Sequence, residues 1–209
     1  MQKPWLSQYA GVAEHIDLNR FNSIPAIFDS AFARFSDRPM AINMGKSLTY
    51  REFDQYSRDV AAWLQSLGLQ KGDRVAIMMP NCLQYLILVP AILRAGYAVT
   101  NINPLYTPDE LTHQLNDSGA KAIFILENFA HVLEVSLPNL PNINHVVVSS
   151  LGDMLGFKGK IVNFVLRNVK KMVPAWRIDS AIQFKRVLAE GAQKTYQPVQ
   201  LSHDDLAFL

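Results

Sequence analysis

The sequence predicts an α/β fold in which helices cover a mainly parallel sheet. Short runs of β-branched residues alternate along the chain with segments of helical periodicity, and two of those segments open on a Thr-x-x-Glu capping pattern. Hydrophobic residues make up 49% of the 209 residues and charged residues 18%, a composition that fills a core and argues against a disordered chain. Strands joined through helices form right-handed βαβ crossovers, which give a parallel sheet covered by helices.

The first third of the chain predicts a helix, a hairpin and a second helix. Phenylalanines recur at helical spacing over residues 24–35. A Met-Gly-Lys turn divides residues 41–48 into two short strands. Thr49 and Glu52 then form a capping box that opens the second helix, which Gly68 ends.

The middle of the chain predicts the parallel strands. They are expected at residues 74–79, 97–102, 122–126 and 145–149. Helices are expected between them, over residues 82–95, from Thr107 to about Gly119, and over residues 129–135. Asn81 is the expected N-cap of the first of these helices, and Thr107 with Glu110 forms a second capping box.

The pattern changes at Leu151, beyond which only helices and a polar linker near residues 193–198 are predicted. We therefore divide the chain into an α/β region over residues 1–150, a helical insert with a basic amphipathic segment over residues 151–192, and a linker over residues 193–209.

Charge and cysteine content narrow the class of protein. The formal net charge of +2 does not suggest a nucleic-acid partner, and a single cysteine, Cys82, allows no intramolecular disulfide, which fits a reducing compartment. The N-terminus lacks the apolar core of a secretory signal. The longest apolar stretch, residues 85–93, is about half the roughly 20 residues that a membrane-spanning helix needs. A cytoplasmic protein is expected, with peripheral attachment to the inner face of a membrane left open.

Motifs that carry chemistry are mostly missing from the sequence. The ten glycines form neither of the common phosphate-loop patterns, and the cluster at Gly152, Gly156 and Gly159 has the wrong spacing. The five histidines show no metal-binding spacing. No catalytic, cofactor-binding or metal-binding residue is predicted.

Three polar or aromatic positions are interpreted as structural. The acidic pair at residues 109–110 is expected to stabilise a helix N-terminus, and the pair at residues 204–205 to cap another helix. Tyr106 lies in a strand-to-helix turn of the kind that often meets ligands, but a packed aromatic is the commoner case.

Several short motifs follow one another in an order and spacing that resemble the adenylate-forming, or AMP-binding, superfamily of enzymes. They are LTYREF at residues 48–53, GLQKGDRVA at 68–76, PN at 80–81, AG at 95–96, NPLYTP at 103–108, EL at 110–111 and DDLAFL at 204–209. The resemblance covers nearly the whole chain. Within the superfamily, residues 78–81 and 103–120 are most similar to bacterial long-chain fatty acyl-CoA synthetases.

This resemblance implies a ligase that uses ATP, Mg²⁺ and CoA. A fatty acid and ATP would give acyl-AMP and pyrophosphate, and CoA would then displace AMP. The family's phosphate loop, acidic Mg²⁺-handling residue, ribose-binding aspartate and C-terminal lysine lie downstream of the matched positions, so none is carried over onto this chain. The resemblance therefore implies an N-terminal fragment, inactive and without bound cofactor, whose residues 193–209 lead to the missing phosphate loop.

The resemblance also implies self-association. In intact members of the family, residues 41–50 would pair with strands that this chain lacks. Unpaired strand edges and bare apolar faces promote association.

A basic segment stands out between Met154 and Ile178, because it holds six basic residues and no acidic one. On a helical projection of residues 161–173 the apolar residues fall within an arc of about 140°, with Phe164 outside that pattern. Two interpretations remain: a packed helix with a solvated basic face, or a helix lying on an anionic membrane surface. In the second, the membrane-contacting residues are Lys160, Arg167, Lys170 and Lys171.

Two further hypotheses about function stay open. One is a non-catalytic α/β module for association with a membrane or a partner. The other is a synthetase for a medium-chain, aromatic or amino acid, since the family's acyl pocket lies mostly downstream.

Overall fold

The computed structural model describes residues 3–209 and contains one parallel sheet flanked by helices. The strands are β1 (Pro39–Asn43), β2 (Lys46–Thr49), β3 (Arg74–Met78), β4 (Ala98–Asn101), β5 (Ala122–Leu126), β6 (His145–Ser149) and β7 (Ile182–Gln183). The α-helices are α1 (Ile24–Phe35), α2 (Tyr50–Gln65), α3 (Leu83–Arg94), α4 (Pro108–Ser118), α5 (Ala130–Ser136), α6 (Phe157–Phe164) and α7 (Phe184–Gly191). A π-helix, Val165–Val169, continues α6, and short 3₁₀ helices lie at Pro4–Gln8, Glu127–Phe129 and Leu137–Asn139.

The sheet confirms the predicted α/β class. Its strand order is β4-β3-β5-β6-β7, and all of these neighbours pair in parallel. Phe208 adds a parallel bridge to Val99 at the outer edge of β4. The chain therefore crosses over the sheet repeatedly through its helices, as the alternating pattern predicts.

Each face of the sheet carries its own apolar core. In β5, Phe124 faces the cluster formed with α2, α3 and α7, whereas Ile123 and Ile125 face the cluster formed with α4 and α5. Alternate residues of a strand point to opposite faces, so a continuous run of apolar residues in a strand indicates a sheet covered on both sides.

The two capping boxes form as predicted. The Glu52 amide donates to the Thr49 hydroxyl at 3.2 Å, and the Thr49 amide donates to the Glu52 carboxylate at 2.7 Å. Thr107 and Glu110 repeat this arrangement at 3.4 and 2.8 Å, with Pro108 at the first helical position. These exchanges satisfy amides that would lack a partner at a helix N-terminus.

The predicted hairpin forms a separate two-stranded sheet. Strands β1 and β2 pair antiparallel, and both Met44 and Gly45 have positive φ, at 49° and 78°. A two-residue turn with positive φ at both positions matches the twist of the strands it joins.

Two boundary predictions are wrong. The N-cap of α3 is Cys82 rather than Asn81, because Cys82 still has extended backbone angles and the helix begins one residue later than predicted. The region after Leu151 is not helical throughout, since β7 pairs with β6 through Val147 and Val148. A two-residue strand leaves no alternation in the sequence from which it could be recognised.

Within the described residues, no helix is both long and apolar enough to cross a membrane.

Candidate functional site

The carboxyl ends of the parallel strands are where an open α/β sheet usually binds ligands. In this chain the ends of β5 and β6 are followed by Glu127 and Ser150, and both residues are buried. We call the polar residues gathered there the carboxyl-edge cluster: Gln84, Glu127, Ser149, Ser150, Asp153 and Arg167.

Four residues of this cluster connect α3 to the end of β6. The Gln84 side-chain amide donates to the Ser149 hydroxyl at 3.2 Å and to the Ser150 carbonyl at 2.9 Å. Asp153 accepts from the Ser150 amide at 2.8 Å and from the Ser149 hydroxyl at 3.1 Å. Gln84 and the two serines are buried, so these bonds replace contacts that water would otherwise make.

The other two residues, Glu127 and Arg167, connect the π-helix to the end of β5. Glu127 is only 2% exposed, and its Oε2 accepts from Arg167 Nη2 at 2.6 Å and Nε at 3.0 Å. Arg167 also donates to the Ser150 hydroxyl at 2.9 Å. A buried carboxylate needs such a counter-charge, because transfer of an unpaired charge from water is costly. The Oε1 atom of Glu127 has no hydrogen-bond partner among the described residues.

The carboxyl-edge cluster is therefore a structural connection rather than a reactive site. Its arginine already pairs with a carboxylate, the Ser149 hydroxyl donates to Asp153, and the Ser150 hydroxyl accepts from Arg167. Within residues 3–209, no group of three or more histidine, cysteine, aspartate and glutamate residues could hold a metal ion. The described residues accordingly do not fit a nucleotide phosphate or Mg²⁺ at this edge.

The predicted basic segment adopts a different helix from the one expected. Helix α6 begins at Phe157, the π-helix ends at Val169, and Lys171 has a φ of 50°, so the expected helix over residues 161–173 is wrong at both ends. A positive φ at a residue other than glycine stops a right-handed helix.

The structure separates the four candidate membrane-contacting residues. Lys160, Lys170 and Lys171 are exposed, and their ammonium groups form no ion pair within residues 3–209. Arg167 is half-exposed and pairs with Glu127. The apolar arc is divided too: Val162, Val165 and Leu166 are half-buried, whereas Ile161, Val169 and Met172 are exposed.

The glycines near this segment have a packing role. A Cβ atom built on Gly159 would lie 1.8 Å from the Gly152 carbonyl oxygen, and one on Gly152 would lie 2.3 Å from the Gly159 carbonyl oxygen. The Gly152 amide donates to the Asn163 side chain at 2.8 Å. The turn after β6 and helix α6 therefore touch backbone to backbone.

Two other candidate positions have structural roles. Tyr106 packs against the apolar cluster beneath α4, as the packed-aromatic interpretation predicts. The prediction that residues 204–205 cap a helix is wrong, because they lie in a turn. There, Asp205 accepts from the Ser202 amide at 2.7 Å and pairs with Lys71 at 2.8 Å. These two interactions, Lys71 first, lower the pKa of Asp205.

Sequence reasoning missed a buried ionic network around Arg94. The Arg94 side chain is 2% exposed, pairs with Asp29, and donates to Asp54 at 2.9 Å and to Ser57 at 2.8 Å. The rings of Phe32 and Tyr196 lie 5.6 Å from its guanidinium carbon. An arginine at the end of an otherwise apolar helix could have signalled this network.

One apolar cavity of about 330 Å³ lies between the segment before α1 and the C-terminal residues. Its walls include Phe21, Ile24, Tyr97 and Leu206. His203 closes one side through a 2.8 Å hydrogen bond with the Phe21 carbonyl. The cavity can hold an apolar group, but its polar side chains already have partners.

Comparisons with known proteins assign the chain to one group. The family model described as AMP-binding enzyme matches residues 28–209. The chain is 47% identical over its whole length to a long-chain-fatty-acid–CoA ligase of Escherichia coli, of which it covers 38%. It is 35% identical, over 77% of its residues, to a ligase of the same name from Bacillus subtilis, of which it covers 29%.

A solved structure agrees on the fold. The crystal structure of an anthranilate CoA ligase with anthranoyl-AMP matches 92% of this chain with a TM-score of 0.73 at 17% identity, and the match covers 32% of that ligase. The arrangement of strands and helices described above thus matches part of a larger adenylate-forming fold.

Proposed function

The chain belongs to the family of AMP-binding enzymes, and from this premise we propose that it is the N-terminal part of an ATP-dependent long-chain fatty acid–CoA ligase. The observation that carries the proposal is the 47% identity, in an alignment that spans the whole chain, to bacterial ligases of that name. The chain spans 38% of the length of those relatives. The activity of the whole protein is therefore part of the proposal.

The proposed reaction joins a fatty acid to CoA through an acyl-adenylate. The fatty acid carboxylate would take the adenylyl group of ATP with release of pyrophosphate, Mg²⁺ would neutralise the phosphates, and the CoA thiolate would then displace AMP from the acyl carbon. The described residues do not fit the nucleotide or the metal at the carboxyl edge, because Arg167 is already paired with Glu127 and no group of three or more histidine, cysteine, aspartate and glutamate residues within residues 3–209 could hold a metal ion. We therefore assign no step of the reaction to a residue of this chain, and we expect the chain alone to be inactive.

In this proposal the chain provides a scaffold. The buried sheet and the Arg94 network set the positions of the helices, and the cluster at the strand ends fixes the segment after β6. The fatty acid, ATP and CoA would be bound by the intact protein. Its expected location is the cytoplasm, with peripheral attachment to the inner face of a membrane.

A chimeric ligase tests the proposal directly. The segment of the Escherichia coli ligase that aligns with this chain is replaced by residues 1–209, and release of AMP is measured with palmitate, ATP, Mg²⁺ and CoA. We expect the chimera to turn over palmitate and the 209-residue chain to show no turnover. The intact Escherichia coli ligase is the positive control.

The same assay separates the alternatives. Because the acyl pocket of the family lies mostly downstream of this chain, the acid is assigned with the complete gene product that carries these residues, and turnover of only medium-chain, aromatic or amino acids by that protein would assign a different substrate. A folded chimera with no activity toward any of these acids would favour the non-catalytic module. Turnover by the 209-residue chain alone would contradict the fragment interpretation.

A further inference from the structure

Helix α6 presents a row of apolar side chains to solvent. Phe157, Ile161 and Phe164 are 77%, 55% and 60% exposed. Their spacing of four and three residues places them on one face of the helix. We call these three residues the outer stripe. Val169 and Met172, which follow it in the chain, are also exposed.

The outer stripe is distinct from the face that holds α6 in the fold. On the inner side, Gly159 touches Gly152, Asn163 accepts from the Gly152 amide, and Val162 packs on the main apolar core. The Arg167 ion pair with buried Glu127 fixes the π-helix that follows. The outer stripe can therefore meet another surface without α6 leaving its place.

The surroundings of the outer stripe are basic. Lys158 and Lys160 lie in the same helix, and Lys170 and Lys171 follow the π-helix; all four are exposed and form no ion pair within the described residues. Residues 154–178 contain six basic side chains and no acidic one, whereas the other residues of the chain carry a formal net charge of −4. The positive charge is thus concentrated in the same segment of the chain as the exposed apolar side chains.

We propose that the outer stripe and Lys158, Lys160, Lys170 and Lys171 dock on an anionic lipid surface. Such a surface offers an apolar boundary for aromatic and aliphatic side chains and phosphates for ammonium groups. A protein partner that covered the stripe would have to supply acidic groups for the four lysines or remove water from them at a cost. Arg167 does not join the docking surface, since its charge is already paired with Glu127. The inference rests on this surface alone and is independent of the acid that the protein activates.

Vesicle sedimentation of the complete gene product that carries these residues tests the proposal. Vesicles of phosphatidylcholine alone are compared with vesicles of equal parts phosphatidylcholine and phosphatidylglycerol, at low and at high salt. The wild type is expected to bind the anionic vesicles at low salt, and to bind weakly in the other conditions because salt screens the attraction.

Two variants probe the two chemistries of the surface. Lys160→Glu with Lys170→Glu should weaken binding to anionic vesicles at least about twentyfold, because each lysine near such a surface contributes about fivefold. Phe157→Ser with Phe164→Ser should weaken binding by about tenfold or more, because two exposed rings lose their apolar contact. Thermal unfolding of each variant confirms that the fold is kept.

Matched controls place the same changes elsewhere. Lys46→Glu with Lys194→Glu makes the same change of charge, and Ile16→Ser with Leu105→Ser removes two exposed apolar side chains. Both controls should bind like the wild type. Equal losses in controls and test variants would overturn the proposal, as would wild-type binding by either test variant or a wild type that binds no anionic vesicle. A wild-type dimer that the Phe157 and Phe164 changes dissociate, without vesicle binding, would assign the stripe to a second copy instead.

Discussion

The indole nitrogen of Trp63 donates a 3.1 Å hydrogen bond to the carboxylate of Glu190 and so fastens α7 to α2. The other oxygen of Glu190 accepts from Arg186 at 2.6 Å. These two contacts, Arg186 first, lower the pKa of the Glu190 carboxyl. A carboxylate whose pKa is lower in the folded state stabilises the fold above its unfolded pKa, and this contribution is lost as the pH falls through the folded value.

The Glu190→Gln variant should therefore have a weaker acid dependence of stability than the wild type. At about pH 6 the variant is expected to unfold at a lower denaturant concentration than the wild type. At about pH 3.5 the two midpoints should approach each other, because the ordinary glutamate pKa is about 4.3. Urea unfolding at the two pH values measures this. Asp204→Asn is the control, since the Asp204 carboxylate forms no hydrogen bond within the described residues; an equal effect there would contradict the assignment.

The Arg94 network predicts an order of stabilities. Asp29→Ala with Asp54→Ala leaves a buried guanidinium without a counter-charge and should cost about 3–5 kcal/mol of unfolding free energy. Arg94→Met removes the charge and keeps most of the apolar volume, so it should cost less, about 1–3 kcal/mol. Chemical denaturation gives both values. A larger loss for Arg94→Met would show that packing, rather than charge pairing, dominates at this position.

Gly159→Ala tests the backbone contact beneath α6. The new methyl group would lie 1.8 Å from the Gly152 carbonyl oxygen, so the helix must shift, at a cost of about 1–3 kcal/mol. We also expect trypsin to cleave the variant faster than the wild type after the lysines of residues 158–171. Mass spectrometry of the fragments measures the rate of this cleavage. Asn168→Ala, at an exposed position nearby, is the control and should cleave like the wild type.

Cys82 should report global unfolding. Its thiol is buried, and burial raises its pKa, so little reactive thiolate exists in the folded state. Labelling with a thiol reagent at about pH 8 should proceed only as the protein unfolds, and should accelerate in parallel with the denaturant transition. Cys82→Ala with Asn168→Cys should label at once. Rapid labelling of the wild type in native buffer would contradict the buried position.

The 209-residue chain should self-associate when studied by itself. Ile16, Ile42 and Leu105 are largely exposed, and exposed apolar side chains promote association. Light scattering behind a sizing column should show a mass that rises with protein concentration. Replacing these three residues with serine should lower that mass. A monomer at every concentration would contradict the expectation.

The sequence was sufficient for elements whose signals are local. In the capping boxes at Thr49 and Thr107, both hydrogen-bonding partners lie within four consecutive residues. The alternation of strands with helices predicts a parallel sheet. Such signals do not depend on the rest of the fold. The helix boundaries they mark agree closely with the structure.

The features that could not be predicted from the sequence depend on contacts between residues that are far apart in the chain. Strand β7 exists because β6 offers a parallel edge, and two residues carry no pattern of their own. Arg167 looks like a solvated basic residue until Glu127, 40 positions earlier, is placed beside it. The prediction for residues 161–173 likewise places its apolar residues on a single face. In the structure, Val162 packs on the core, whereas Ile161 belongs to the exposed outer stripe.

The contact between Gly152 and Gly159 has a consequence for how this protein can be altered. The position of α6 is set by the contact of its main chain at Gly159 with the main chain of the preceding turn at Gly152. The outward side chains of that helix therefore contribute little to its placement. Their chemistry can be exchanged while the scaffold keeps its shape. The outward positions of this helix can thus be substituted to give the surface a new binding preference without redesigning the domain beneath them. They are Phe157, Lys158, Lys160, Ile161 and Phe164.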